Sequence, residues 1–166
     1  MIRSAIAADA QAICAIYNHF ILQSAVTFEE MAITPDDMAA RIDAISGPGR
    51  LPFLVAELDG AVAGYAYAAP WKARSAYRHT VESSVYIAPG FAGMGMGSRL
   101  YQALLQHLRE REVHAVLAGI VLPNSASIGL HEAFGFARVG QLREVGKKFG
   151  QWMDVGYWQL LLAPQH

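Results

Sequence analysis

Three glycines alternate with two methionines at Gly93-Met94-Gly95-Met96-Gly97, between a strand-like run, Ser83 to Ile87, and a helical repeat marked by Leu100, Leu104 and Leu108. That order brings the unpaired N–H groups of a helix start and an open glycine backbone into one concavity. The positive end of the helix dipole lies there too, so the place suits a phosphate or pyrophosphate. Glycine accepts positive φ, and any Cβ would hold an anion away from the amides. The plainer alternative is that these glycines only tighten a strand-to-helix connection. Just upstream, Lys72, Arg74, Tyr77 and Arg78 form a cationic, aromatic loop that leads into Glu82. Such a loop either holds an anionic ligand, with Arg binding bidentately, or is simply a solvated basic segment.

Two phosphate loops are excluded by spacing. The Walker pattern ends in Gly-Lys-Ser/Thr, whereas Gly97 is followed by Ser98 and Arg99. The dinucleotide fingerprint needs GxGxxG after the first strand, and here the spacing is GxGxG past mid-chain. Ala92-Gly93-Met94-Gly95-Met96-Gly97 instead resembles the acetyl-CoA loop of the GNAT N-acetyltransferases, (Gln/Arg)-x-x-Gly-x-(Gly/Ala). Ala92 stands where the family has Gln or Arg, which removes one side-chain contact to the pyrophosphate and leaves the amide cradle. Residues 70–77 with 80–86, 122–136 and 145–156 each resemble the phosphinothricin and methionine sulfoximine N-acetyltransferase branch. The resemblance spans roughly residues 53–162, about two-thirds of the chain.

It implies transfer of an acetyl group from acetyl-CoA, as co-substrate, directly to the α-amine of a small amino-acid-like acceptor. The acceptor would be of the phosphinothricin, methionine sulfoximine or methionine sulfone type. An α-amine arrives as ammonium and must lose a proton before attacking a thioester, and the CoA thiolate must then leave. Glu82, at the head of the strand that leads to the glycine turn, is implied as general base, directly or through water; by itself it reads as a solvated strand-end carboxylate. His131 stands where many members of the superfamily have the Tyr that protonates the CoA sulfur. It is a candidate acid or relay, or else a packed histidine with a satisfied hydrogen bond. Backbone groups near Val85, Tyr86 and Ile87 would hold the pantetheine as an added strand does. Asn124 and Ser127 would also contact it, Asn124 capping a helix as well. Ala92, Gly93, Met94, Gly95, Met96, Gly97 and Ser98 would carry the diphosphate, with Met94 and Met96 shielding the loop as packing residues. For the acceptor, Lys72, Arg74, Tyr77 and Arg78 would face Phe28 and Glu29, and Lys147, Lys148 and Trp152 would close the site, from this chain or from a neighbouring subunit.

Two other readings remain open. One is acetylation of another amine, a protein N-terminus or a polyamine; a polyamine enzyme should present an acidic acceptor surface, which the basic loop opposes. The other is a non-catalytic acyl-CoA-binding module, which would bind CoA without turnover and be indifferent to Glu82→Gln.

The elements that must position these residues follow from local patterns. Residues 1–6 predict a short strand, and Asp9 the cap of a helix ending near Leu22, with an Ile13, Ile16, Tyr17, Phe20 stripe. Thr34-Pro35-Asp36-Asp37 is a helix start, and Gly47-Pro48-Gly49 ends that helix after about Ile45. Strands 53–58 and 61–69 are joined by Asp59-Gly60, a hairpin signal. The helix after the glycines is expected to reach about Glu112. Residues 114–122 form an apolar run, as in a buried central strand. A helix capped by Asn124 should end at Gly135, and strands 136–143 and 153–162 should close the fold. The order β-α-α-β-β-β-α-β-α-β-β implies an α/β (α+β) fold, a mixed, mostly antiparallel sheet with helices on both faces. The resemblance adds that the fourth and fifth strands splay to admit the pantetheine arm.

Composition sets the limits. At 166 residues a single domain, 1–166, is expected, and 54% hydrophobic residues against 16% charged can fill a core and leave apolar surface for a homodimer. A net charge of −1 opposes nucleic-acid binding. No apolar run reaches the roughly 18 residues of a membrane span, so no membrane partner is expected, and Asp9 interrupts the start too early for a signal peptide. The lone Cys14 falls in a helical pattern as a core residue and accords with a cytoplasmic location. His19, His79, His107 and His114 lack ligand spacing, so no metal is expected.

Overall fold

The computed structural model describes residues 1–47 and 50–163. Pro48 and Gly49, read above as part of a helix stop, lie outside the described residues. The elements run β1 (Ile2–Ser4), α1 (Ala10–Gln23), α2 (Pro35–Ser46), β2 (Phe53–Leu58), β3 (Ala61–Pro70), β4 (Thr80–Ile87), α3 (Met96–Arg109), β5 (Ala115–Val121), α4 (Ser125–Ala133), β6 (Ala137–Lys148) and β7 (Gln151–Leu161). The strands form one sheet in the order β1-β2-β3-β4-β5-β7-β6. Every pair is antiparallel except β4 with β5. This is the expected mixed, mostly antiparallel architecture.

Strand alternation decides which helix covers which face. Leu54, Ala56, Ala66, Ala68 and Val81 point to one side, where Leu100, Leu104, Leu105 and Leu108 of α3 complete a core cluster. Phe53, Val55 and Tyr65 point to the other, against Ile13, Ile16, Tyr17 and Ile21 of α1 and Met38 and Ile42 of α2. Cys14 is buried in that second cluster. Each fully buried Leu of α3 contributes about 1.5–3 kcal/mol relative to exposure, which anchors the helix whose start frames the glycine turn. No helix among the described residues is long and apolar enough to cross a membrane.

Local signals hold where they depend on neighbours in sequence. Thr34 accepts from the Asp37 backbone N–H at 3.1 Å and Asp37 accepts in return from Thr34 N–H at 3.0 Å, a capping box with Pro35 at the first turn. Asp59 and Gly60 both have positive φ, 51° and 78°, as a type I′ hairpin needs.

Five boundaries or roles differ from expectation. β1 ends at Ser4, and Ala7–Asp9 form a 3-10 turn. Asp9 does not cap α1 with its side chain; its carboxylate accepts from Ile6 N–H at 2.8 Å and from the two terminal guanidinium nitrogens of Arg3 at 2.8 and 2.9 Å. β4 begins at Thr80, so Glu82 is its third residue rather than its first. α3 stops at Arg109, with Glu112 at φ 58° in the turn that follows. β6 continues to Lys148, absorbing residues expected to lie between strands. It does so through register shifts between Arg138 and Gly140 and between Leu142 and Gly146, and the hairpin turns on Phe149 and Gly150, both at positive φ. Bulges of this kind leave no period-2 pattern to read.

Candidate active site

The parallel pairing of β4 and β5 covers only Thr80↔Ala115, Val81↔Val116 and Glu82↔Leu117. Beyond Glu82 the strands part, and a cavity of about 340 Å³ opens between them, lined by Ser84, Val85, Ile87, Gly119, Asn124 and His131 among others. On its other edge β4 stays paired with β3 as far as Ile87. The β5-facing backbone groups of Val85 and Ile87 therefore have no strand partner, whereas those of Tyr86 face β3, and buried backbone groups need a partner. An extended chain with amides of its own meets that need.

At the far end of β4 the chain turns through Pro89–Phe91 and reaches Gly93 and Gly95, both at φ 76°. Gly95 immediately precedes α3 in the left-handed conformation. A Cβ on either glycine would meet nothing within 4 Å, so this turn faces open space. The N–H groups of Met96, Gly97 and Ser98 belong to the first turn of α3, which has no intrahelical acceptor for them. Gly97 differs: a Cβ there would meet Leu130 Cδ2 at 3.5 Å, an ordinary contact, where α3 packs on α4. Of the two methionines expected to pack, Met96 is buried, but Met94 is 55% exposed and shields nothing in this chain. Ala92 is exposed beside them. At the other mouth, Asn124 Oδ1 caps α4 by accepting from Ser127 N–H at 3.1 Å; an Asn side chain keeps two N–H donors for another partner.

Glu82 sits where the strands part, on the face covered by α1 and α2. Its Oε1 lies 3.4 Å from the point a Cβ on Gly119 would occupy, and Tyr157 Cε1 lies 3.2 Å from the same point. Gly119 thus leaves room for both groups. The Tyr157 ring packs edge-on against Trp71 at 5.6 Å, and Lys72 stands over Trp71 at 5.2 Å. Burial alone raises the Glu82 carboxyl above its ordinary 4.5. Burial, and then the charge of Glu82, raise the Tyr157 hydroxyl. A half-buried carboxyl whose pKa is raised by burial is a stronger proton acceptor than an exposed one.

His131 lies across β4 from Glu82. Alternation sends the next side chain, Ser83, to the α3 face. There Ser83 Oγ is 2.6 Å from the Tyr101 hydroxyl, which is 2.6 Å from His131 Nε2. His131 Nδ1 is 2.7 Å from the Ser127 carbonyl, which can only accept, so Nδ1 carries the proton and Nε2 accepts from Tyr101. The Tyr101 hydroxyl oxygen in turn accepts from Ser83. Burial lowers the imidazole below its ordinary 6.5, keeping the ring neutral.

The acceptor-side residues divide. Arg74 and Arg78 are exposed and Tyr77 is 40% exposed. Lys72, Arg74 and Arg78 form no salt bridge among the described residues. Glu29 is already engaged: Arg41 donates to it at 2.6 and 2.8 Å, and the Tyr17 hydroxyl donates as well. The Arg41 guanidinium holds its carboxyl below the usual range. Phe28 lies against Gly146 of β6. Lys148, expected to close the site, is instead buried in its own chain and donates to Thr27 O at 2.7 Å, while Lys147 stands over Trp152 at the exposed hairpin end. Sequence reasoning missed Gly119, Tyr157, Ser83 and Tyr101, whose roles depend on which strands and helices meet. Among the described residues no group of three or more His, Cys, Asp or Glu is placed to hold a metal.

Parted parallel strands thus lead to a glycine turn at a helix start, with the half-buried Glu82 carboxyl where they part. The chain belongs to the GNAT acetyltransferase family, whose acetyltransferase (GNAT) domain matches residues 2–156, and by class it is an N-acetyltransferase. It is similar to the phosphinothricin N-acetyltransferase of Streptomyces viridochromogenes, with 47% identity over 158 residues, 95% of this chain and 85% of that one. It is also similar to the L-methionine sulfoximine/L-methionine sulfone acetyltransferase of Salmonella typhimurium, with 40% identity over 161 residues, 97% of this chain and 94% of that one. Among solved structures, a GNAT phosphinothricin acetyltransferase from Sinorhizobium meliloti in complex with AcCoA superposes with a TM-score of 0.94 at 37% identity, covering 98% of this chain and 88% of that one.

Proposed function

We propose that the protein acetylates the α-amine of a small amino-acid-like acceptor of the phosphinothricin, methionine sulfoximine or methionine sulfone type, using acetyl-CoA, with Glu82 as general base. The observation that carries this reading is Glu82 itself, half-buried and set where β4 and β5 part. The relatives' substrates supply the acceptor class. Acetyl-CoA would lie with its diphosphate at Gly93 to Ser98 and its pantetheine between the strands beside Val85, Tyr86, Ile87, Asn124 and Ser127. The ammonium gives a proton to Glu82, and the free amine attacks the thioester carbonyl. The resulting oxyanion collapses as the C–S bond breaks, and the second proton of the attacking nitrogen passes to the departing thiolate, leaving the amide and the CoA thiol. His131 accepts a hydrogen bond from Tyr101, so its part is to hold Tyr101 and Ser83 in line beside the channel. Lys72, Arg74, Tyr77 and Arg78 would take the acceptor's carboxylate and its second polar group, opposite Phe28 and Glu29.

A homodimer fits the exposed apolar side chains of the β6–β7 hairpin, Val139, Leu142, Val145, Phe149 and Trp152; sedimentation velocity tests it. A cytoplasmic location accords with the lone, unpaired Cys14.

The test is thiol release over a panel of amino acids, their sulfoximines, sulfones and phosphinates, polyamines and short peptides. Glu82→Gln should lower kcat about 10²–10⁴-fold while acetyl-CoA binding by calorimetry is kept. Coenzyme binding without turnover on any amine would leave a binding module instead, and undiminished turnover in Glu82→Gln would remove the base.

A further inference from the structure

Residues 24–34, which join α1 to α2, contain no helix or strand, yet they are held closely by β6. Two residues of that strand do it. Gly146 and Lys148 are two apart and therefore point to the same face. Lys148 is 2% exposed, and its Nζ donates to the Thr27 carbonyl at 2.7 Å, a contact between residues 121 apart in sequence. A lysine is almost never fully buried without a partner, so this bond ties the loop to the strand.

At Gly146 the loop fills the place of a side chain. A Cβ there would lie 2.3, 2.5 and 2.8 Å from Cε2, Cζ and Cδ2 of Phe28. Those separations are far inside van der Waals contact, so the ring occupies the volume of the missing Cβ. The strand is shaped for this: its register shifts between Leu142 and Gly146, and Glu144 has φ 51°. The same loop reaches the site, because Val26 lines the cavity between the parted strands together with Ser84 and Gly119. Thr27 also meets the Tyr17 hydroxyl at 2.9 Å. Phe28 remains 36% exposed, with one side on Gly146 and the other open.

We propose that Gly146 and Lys148 are positioning residues of the acceptor site: by admitting the Phe28 ring and gripping Thr27, they set where the wall opposite the cationic loop stands and so which acceptor side chains fit. This rests on the reading of Phe28 as an acceptor-site wall. A methyl at residue 146 pushes on the far end of a flexible side chain rather than on backbone, so the fold persists while the wall moves.

The experiment is a double-mutant cycle on Gly146→Ala, Phe28→Ala and the pair, with methionine sulfoximine as acceptor. Gly146→Ala should raise the acceptor KM about tenfold, change kcat less, and leave the acetyl-CoA KM within about twofold. In the Phe28→Ala background it should add nothing, because the clash has gone. Lys148→Met keeps the stem and loses the donor; it should raise the acceptor KM likewise and speed amide exchange of residues 26–30. Exchange of that segment reads the grip even if no acceptor turns over, and Lys148→Met answers the question if Gly146→Ala does not fold. A silent Phe28→Ala would remove the wall reading and this inference with it. A silent Gly146→Ala or one that adds to Phe28→Ala, or unchanged exchange in Lys148→Met, would overturn the positioning role alone.

Discussion

Tyr101→Phe isolates the buried chain that links Ser83 to His131. The substitution keeps the ring, and with it the contacts to Phe134 and Phe136 at 5.7 and 5.9 Å. Only the hydroxyl is lost, and with it two hydrogen bonds of 2.6 Å. His131 Nε2 is left without a donor and Ser83 Oγ without its close acceptor; the Leu117 carbonyl, 3.4 Å from that oxygen, is a poor substitute. An unsatisfied buried polar group costs about 1–3 kcal/mol. Two such groups, with some relaxation toward Leu117, come to about 3 kcal/mol. For a chain of this size that lowers Tm by roughly 6–12 °C, read by calorimetry. Because His131 accepts in this chain, no proton for the departing thiolate passes through Tyr101, and kcat at a permissive temperature should fall only a few-fold. A loss of about 10² in kcat with Tm unmoved would refute the assigned hydrogen-bond direction and make the chain a proton donor.

Three further outcomes follow from the same geometry. The acidic limb of kcat/KM should lie above the ordinary glutamate value of 4.5, since burial raises Glu82 and the base must be unprotonated; the limb should vanish in the residual activity of Glu82→Gln. His131 has a lowered folded-state pKa, so its contribution to stability is complete above the unfolded value of 6.5 and is lost as pH falls below it. Denaturant midpoints measured from pH 8 to 5 should fall less steeply in His131→Gln. Gly95→Ala imposes a left-handed backbone on a residue with a Cβ, a strain of about 1–2 kcal/mol, and puts a methyl toward the ligand. The acetyl-CoA Kd should rise by about tenfold or more with the acceptor KM unchanged, whereas Gly97→Ala, which meets Leu130 at an ordinary 3.5 Å, should be milder. Titration calorimetry checks both.

Much of the fold was legible because its signals are local. The Thr34 box, the Asp59-Gly60 turn, the positive-φ glycines before α3 and the Asn124 cap each join residues within a few positions, so residue type suffices. Asp9 shows the limit. Its residue type and position suit a cap, but Arg3 and the Ile6 amide compete for the carboxylate and win. Met94 shows another, since an apolar residue in a glycine turn has no stripe to assign it to a core. β6 was read short because its bulges erase the alternation on which a strand is recognised.

The sequence by itself determined the order of elements, the glycine turn before α3 and the presence of Glu82 and His131, since backbone conformation there answers to nearest neighbours. Only the tertiary structure decided that those two residues face opposite sides of β4, that Tyr157 and Gly119 flank Glu82, and that Arg41 engages Glu29. Each of those facts depends on which distant segments pack together, and packing is settled by the shape and burial of the whole chain.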